Sequence, residues 1–159
     1  MLTATRGGKI NISEEKDTKS IAEKFSKLIR IGDFILLSGN LGVGKTTFIK
    51  HIINSLQKIN KQKISEVPSP TFNITNEYQI KNILIKHYDL YRVNNKKELN
   101  NLGIQENLKK QITFVEWPGL IKKLKIKNSI NLTFTYNNNF TKRYLIIISK
   151  NKKIINEFK

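Results

Sequence analysis

The sequence predicts an α/β fold of three layers, in which helices cover a mixed central sheet carrying antiparallel additions. Three observations lead there. The apolar runs Phe34–Leu37 and Ile112–Val115 are continuous rather than alternating, the pattern of strands buried on both faces of a parallel sheet. Segments with apolar residues at helical spacing lie on either side of the first run. Two further pairs of strand-like runs are each too closely spaced for a helical crossover, so they read as antiparallel hairpins.

The elements follow in order. Asp17 or Thr18 is placed to cap a helix whose Ile21, Phe25, Leu28 and Ile29 fall on one face. Gly32 and Asp33 turn the chain into the strand Phe34–Leu37. A glycine-rich loop comes next, and Ile49, Ile52, Ile53, Leu56 and Ile59 mark a second amphipathic helix. Residues 61–70 read as a loop with Pro68 and Pro70 bracketing Ser69. Strands are expected over Phe72–Tyr78 and Ile83–Tyr88, short helices broken at Gly103 over Lys96–Leu108, and a buried strand over Ile112–Val115 that runs into Glu116-Trp117-Pro118. A last hairpin pairs Ile130–Tyr136 with Tyr144–Ser149 around Asn137-Asn138-Asn139.

The 159 residues suit one domain spanning the whole chain, with a composition of 38% hydrophobic and 26% charged residues that fits a globule. No apolar run approaches the roughly 18–20 residues of a membrane span, and the N-terminus shows no apolar signal region. With no Cys, disulfides, thiolate zinc sites and cysteine nucleophiles are excluded. A cytoplasmic protein with no membrane partner is the expectation. The net charge of +17 admits a nucleic-acid partner, since basic surfaces release phosphate counterions. Against that, the basic residues are mostly scattered Lys, and abundant Ile and Asn with scarce Ala and Arg are the mark of an AT-biased genome.

The chemistry begins at Gly39-Asn40-Leu41-Gly42-Val43-Gly44-Lys45-Thr46, a complete Walker A pattern between a strand and a helix. Such a loop curls its backbone N–H groups inward around phosphate oxygens, and the helix N-terminus adds its dipole. Lys45 would reach the β- and γ-phosphates, and the Thr46 hydroxyl would ligate Mg²⁺. The fold is therefore expected to be P-loop NTPase-like, with ATP and Mg²⁺ as cofactors. Magnesium also wants one or two carboxylates, and two candidates end buried strands, Asp89 and Glu116. Ser69-Pro70-Thr71 stands where P-loop proteins place a loop that senses the γ-phosphate; it reads either so, with Thr71 touching metal or phosphate, or as an ordinary proline-braced loop. His51 and His87 lack a second metal-type ligand at useful spacing, and the lone Trp117 reads first as a half-buried core residue and second as a flank of the nucleotide pocket.

These motifs resemble one family. Gly39–Thr47 is similar to its Walker A segment, which usually carries Asp where Asn40 stands; Ser69-Pro70-Thr71-Phe72 resembles its switch-like signature, His87-Tyr88-Asp89-Leu90-Tyr91-Arg92 its most distinctive block, and Val115-Glu116-Trp117-Pro118 its Walker B-like strand end. The family is TsaE, the bacterial ATPase that supports formation of threonylcarbamoyladenosine in tRNA, and the resemblance covers about Thr18 to Pro118. It implies that Thr46 and Glu116 hold magnesium, that Asp89 assists hydrolysis, and that Thr47 and Arg143 lie at the nucleotide; Lys45, Asp89 and Glu116 are the expected catalytic residues, with Asp89 or Glu116 orienting the water toward the γ-phosphate. It also implies TsaD and TsaB as partners, with tRNA met indirectly through their complex. A slow ATPase gated by those partners is the expected activity; the alternative is a binding module in which ATP occupancy alone supports the partner. A small-molecule kinase would need an arginine-rich lid, and the four arginines Arg6, Arg30, Arg92 and Arg143 are widely spread.

Overall fold

A computed structural model describes residues 5–124 and 126–159. Its seven strands form one sheet: β1 (Thr5–Asn11), β2 (Phe34–Ser38), β3 (Thr75–Ile80), β4 (Ile83–Asp89), β5 (Gln111–Glu116), β6 (Ser129–Tyr136) and β7 (Arg143–Ser149). The spatial order is β1-β7-β6-β2-β5-β4-β3. β6, β2, β5 and β4 run parallel at the centre, and β7, β1 and β3 are added antiparallel at the two sides. The fold is the expected three-layer α/β architecture.

Burial on both faces explains why β2 and β5 are unbroken apolar runs. Ile35, Leu37, Ile112 and Phe114 pack on one side against Ala22 and Phe25 of α1 (Glu15–Ser26) and Phe48, Ile49, Ile52 and Ile53 of α2 (Lys45–Ile59). Phe34, Leu36, Tyr88 and Val115 face the other side, where Leu90, Val93, Leu99 of α3 (Lys96–Asn101), Ile104 and Ile121 cover them. Removing such large aliphatic and aromatic side chains from water contributes about 1.5–3 kcal/mol each. A last helix, α4 (Lys152–Glu157), adds Ile154 and Ile155 to the first core.

Several elements differ from the sequence reading. β1 and α4 were not expected; β1 is an edge strand of mostly polar residues, and α4 is too short to show a helical period. α1 starts at Glu15 after Glu14, and Thr18 lies inside its first turn, where its hydroxyl bonds back to the carbonyls of Ile12 and Glu14. Leu28 and Ile29 lie beyond the end of α1 yet still join the core. β3 begins at Thr75 rather than Phe72, because Ile74 takes a left-handed backbone (φ 66°) that breaks the extended run. Among the described residues no helix is long and apolar enough to cross a membrane.

Candidate nucleotide-binding site

The glycine-rich loop leaves the C-terminal end of β2 and enters α2, so it sits at the carboxyl edge of the parallel strands, where open α/β sheets bind ligands. Two of its glycines are structurally required. Gly39 (φ 146°) passes so close to β6 that a Cβ would lie 2.6 Å from the Phe134 carbonyl oxygen, and Gly44 (φ 108°) holds the left-handed conformation that turns the chain into α2. Val43 is fully buried and anchors the loop in the core, whereas Leu41 is 73% exposed at its tip. Tyr136 of β6 donates from its hydroxyl to the Gly42 carbonyl at 3.2 Å.

Lys45 is folded along the loop, its ammonium donating to the carbonyls of Gly39 (2.8 Å) and Asn40 (2.9 Å). The same ammonium stands 4.1 Å from the centre of the Trp117 ring, a cation–π contact. Burial pushes the Lys45 pKa below the ordinary lysine value, while the Glu116 and Asp89 carboxylates pull it back up. Thr46, the next residue, donates from its hydroxyl to Glu116 Oε1 (2.8 Å) and Oε2 (3.0 Å).

The two carboxylates come from neighbouring parallel strands. Asp89 and Glu116 are register partners at the ends of β4 and β5, and both are nearly buried. Asp89 is held from two sides: Thr71 donates to Oδ2 (2.7 Å) and the Tyr91 backbone N–H to Oδ1 (2.9 Å). Ser69 and Thr71 share a hydrogen bond of 2.7 Å, so Ser69-Pro70-Thr71 is tied to Asp89 and faces the loop. Thr47 lines the same cleft. On the opposite flank Arg143 of β7 donates from Nη2 to the Ser13 carbonyl at 2.7 Å, and its Nη1 would lie 3.5 Å from a Cβ on Gly44. Leu41, Gly42, Gly44, Lys45, Thr46, Thr47, Thr71, Asp89 and Glu116 thus line one cleft, drawn from the loop, α2, the segment before β3, and the ends of β4 and β5, whereas Gly39, Asn40 and Val43 are not part of its wall and Arg143 stands beside Gly44, turned to Ser13.

The donors match magnesium chemistry. A hydroxyl and two carboxylates are hard oxygen ligands, and this cation is usually held by one or two carboxylates with phosphates and waters. Among the described residues no group of three or more His, Cys, Asp or Glu side chains could cage a metal alone. The glycine-rich loop leading into the N-terminus of α2 matches an anionic phosphate chain.

Ser13 and Tyr136 carry no signal as site residues in the sequence, and His87 and Trp117 take parts there that the sequence ranks below other readings. His87 is fully buried and its Nε2 lies 2.8 Å from Glu116 Oε1. The period of two places it on the same side of β4 as Asp89, but its contact with β5 depends on strand register. Trp117 packs on Tyr91 (centroids 4.9 Å apart) and carries Lys45 on its face, so it walls the cleft as well as joining a core. Its left-handed backbone (φ 57°) is a strained choice for a bulky residue and turns the chain sharply after Glu116. Ser13 and Tyr136 brace Arg143 and the loop, with no local motif to announce them.

Comparisons with known proteins bear on the family and the fold. A family model described as threonylcarbamoyl adenosine biosynthesis protein TsaE matches residues 12–145. The tRNA threonylcarbamoyladenosine biosynthesis protein TsaE of Rickettsia typhi is 37% identical over 113 residues, covering 71% of this chain and 76% of the relative. The Rickettsia conorii protein of the same name is 35% identical over 144 residues, covering 89% and 78%. That of Aquifex aeolicus is 37% identical over 106 residues, covering 67% and 73%. The crystal structure of Bacillus subtilis YdiB has the same fold, with a TM-score of 0.75 at 22% identity over 98% of this chain and 95% of that one.

Proposed function

The chain belongs to the TsaE family, and from that premise we propose that it binds ATP with magnesium, hydrolyses it slowly, and serves tRNA threonylcarbamoyladenosine formation by acting on a complex of TsaD and TsaB. One observation carries the reading: Thr46, Glu116 and Asp89 meet at the mouth of a complete phosphate-binding loop, each already oriented by hydrogen bonds. The place of action is the cytoplasm, and tRNA is reached through the complex rather than held by this chain alone.

The residues divide the work. The loop N–H groups and Lys45 hold the phosphate chain, and Lys45 must give up its bonds to the Gly39 and Asn40 carbonyls to do so. Thr46 and Glu116 would hold magnesium, which would supply positive charge to offset that of the phosphate chain. Asp89, with one hydrogen bond on each oxygen, keeps a lone pair on each for an attacking water and can accept its proton. Arg143 flanks the start of α2 and adds positive charge beside the phosphates.

Slow turnover follows from the arginines. Arg92, near Asp89 in sequence, lies over the Phe72 ring with 4.6 Å between guanidinium and centroid, and Arg143 is turned to Ser13. An arginine supplied at the transition state is worth about 10³–10⁵ in rate, so a partner that supplies or reorients one would gate hydrolysis. Apolar side chains on or next to the cleft's elements form a rim open to solvent: Leu41 (73% exposed) lines the cleft, Tyr91 (52%) packs on Trp117 in its wall, Phe72 (80%) follows Thr71, and Phe140 (69%) packs on Tyr136, which bonds the loop. Such a rim around a polar cleft supports a protein partner that closes over the nucleotide. The rim equally suits the second reading, in which occupancy alone controls docking.

The deciding experiment is tRNA threonylcarbamoylation over many turnovers with purified TsaD, TsaB and ATP, with and without this chain, and with Lys45→Ala as control. Product that stalls near one round without the chain and continues only with the wild type is the expected result. If the chain makes no difference while it still binds nucleotide, the assignment fails.

A further inference from the structure

Glu116 is held between two elements, and the sharing of its oxygens is unequal. Oε1 accepts from both the Thr46 hydroxyl (2.8 Å) and His87 Nε2 (2.8 Å), whereas Oε2 accepts only from Thr46, at 3.0 Å. His87 comes from β4, one strand away, and is fully buried on a face otherwise occupied by Ile85 and Phe114. Its other ring nitrogen, Nδ1, is buried and has no hydrogen-bond partner among the described residues. Packing alone would favour an apolar side chain at such a position, since a buried polar atom left unpaired destabilises the fold. Among the described residues the one polar contact of the ring is Glu116, so that contact is what the imidazole is there to make.

We propose that His87 is a positioning residue for the magnesium-holding carboxylate: its Nε2–H ties down Oε1 of Glu116 and leaves Oε2 as the oxygen turned to the cation or its water. This rests on the ATP–magnesium reading above. A glutamate side chain has three rotatable torsions, and Thr46 alone, itself a cation ligand, is a poor anchor for it. A second anchor on a rigid central strand removes that freedom before the cation arrives. Outer partners that orient a metal-binding group in this way typically change metal affinity by about 10–100-fold when removed.

The test uses the intact chain and its single Trp, Trp117, which lies in the cleft and reports on it by fluorescence. MgCl₂ is titrated into ATP-bound protein, and ATP is titrated separately in EDTA. His87→Met, apolar and unable to donate, should weaken magnesium binding by about 10–100-fold while ATP binding in EDTA stays within about twofold of wild type. His87→Gln, whose side-chain amide can donate in place of Nε2, should recover magnesium affinity to within about threefold of wild type. The proposal is overturned if His87→Met binds magnesium as wild type does, if His87→Gln is as weak as His87→Met, or if both lose ATP binding in EDTA equally. A wild type with no magnesium-dependent response overturns the ATP–magnesium reading as well, which separates the two failures. Should His87→Met not fold, long-range ¹H–¹⁵N spectra of wild-type histidine decide: a protonated Nε2 that shifts on magnesium addition supports the proposal, and a bare Nε2 with protonated Nδ1 overturns it.

Discussion

Replacing Gly39 by Ala tests how tightly the phosphate-binding loop is built into the sheet. The added Cβ would lie 2.6 Å from the Phe134 carbonyl oxygen, 2.9 Å from Phe134 Cβ and 3.0 Å from Val43 Cγ1. None of these neighbours can retreat easily. Phe134 is central in β6, opposite Leu145 of β7, and its ring packs edge-on against Phe48 at 5.6 Å. Overpacking of this kind costs about 1–3 kcal/mol. The backbone angle of +146° at Gly39 adds strain of about 1–3 kcal/mol for a side-chain-bearing residue. A smaller unfolded-state gain of about 0.4–1 kcal/mol runs the other way. The net loss is about 1–6 kcal/mol, equivalent to a melting point lowered by about 2–22 °C in a chain of this size. Gly42→Ala is the matched control, because Gly42 also has positive φ (+73°) but nothing within 4 Å of an added Cβ. It should cost only the left-handed penalty of about 1–2 kcal/mol, less the same unfolded-state gain. Urea unfolding followed by Trp117 fluorescence, with circular dichroism as a second probe, measures both variants. If Gly39→Ala falls within about 1 kcal/mol of Gly42→Ala, the close approach of loop and β6 is not what makes Gly39 necessary.

Three further outcomes are expected. Asp89→Asn should leave ATP affinity nearly unchanged and slow phosphate release in the presence of partners by about 10²–10⁴; unchanged single-turnover hydrolysis would remove Asp89 from the mechanism, and undiminished repeated tRNA modification by a hydrolysis-dead variant would favour occupancy over turnover. Arg143→Ala should weaken ATP binding by about 10–100-fold, the worth of a hydrogen bond to a charged group, and an equal affinity by calorimetry would detach Arg143 from the site. His51, on α2, has its pKa lowered from 6.5 by burial, partly offset by Glu15, whose Oε1 lies 3.3 Å away. The neutral ring is therefore favoured in the folded state, so its stabilisation is present above pH 6.5 and lost as pH falls through the lowered value. The urea midpoint should drop between pH 7 and pH 5, more shallowly for His51→Gln, and parallel curves would show that other groups carry the acid sensitivity.

Much of this molecule was legible from local pattern. A continuous apolar run reports a strand covered on both faces wherever it occurs, as β2 and β5 do. The glycine-rich loop between strand and helix carries its chemistry in consecutive residues, and Thr71, Asp89 and Glu116 stood out as polar groups beside strand ends or a proline-braced turn. The weak signals were of another kind. β1 and β3 are edge strands whose polar residues carry no clear alternation, and α4 is shorter than two helical turns. Trp117 looked like a core residue because nothing local reveals the left-handed turn that swings it to Lys45.

The sequence by itself determined which groups are available, a phosphate-cradling loop, an ammonium, a hydroxyl and two strand-end carboxylates, because backbone conformation and residue chemistry there are set within a few neighbours. Only the tertiary structure decided which of them touch. Thr46 meets Glu116 across a gap of 70 residues, His87 meets it across 29, and Arg143 reaches Ser13 across 130. Those meetings depend on the order and register of parallel strands, which follow from how the two apolar faces of the whole sheet are buried together.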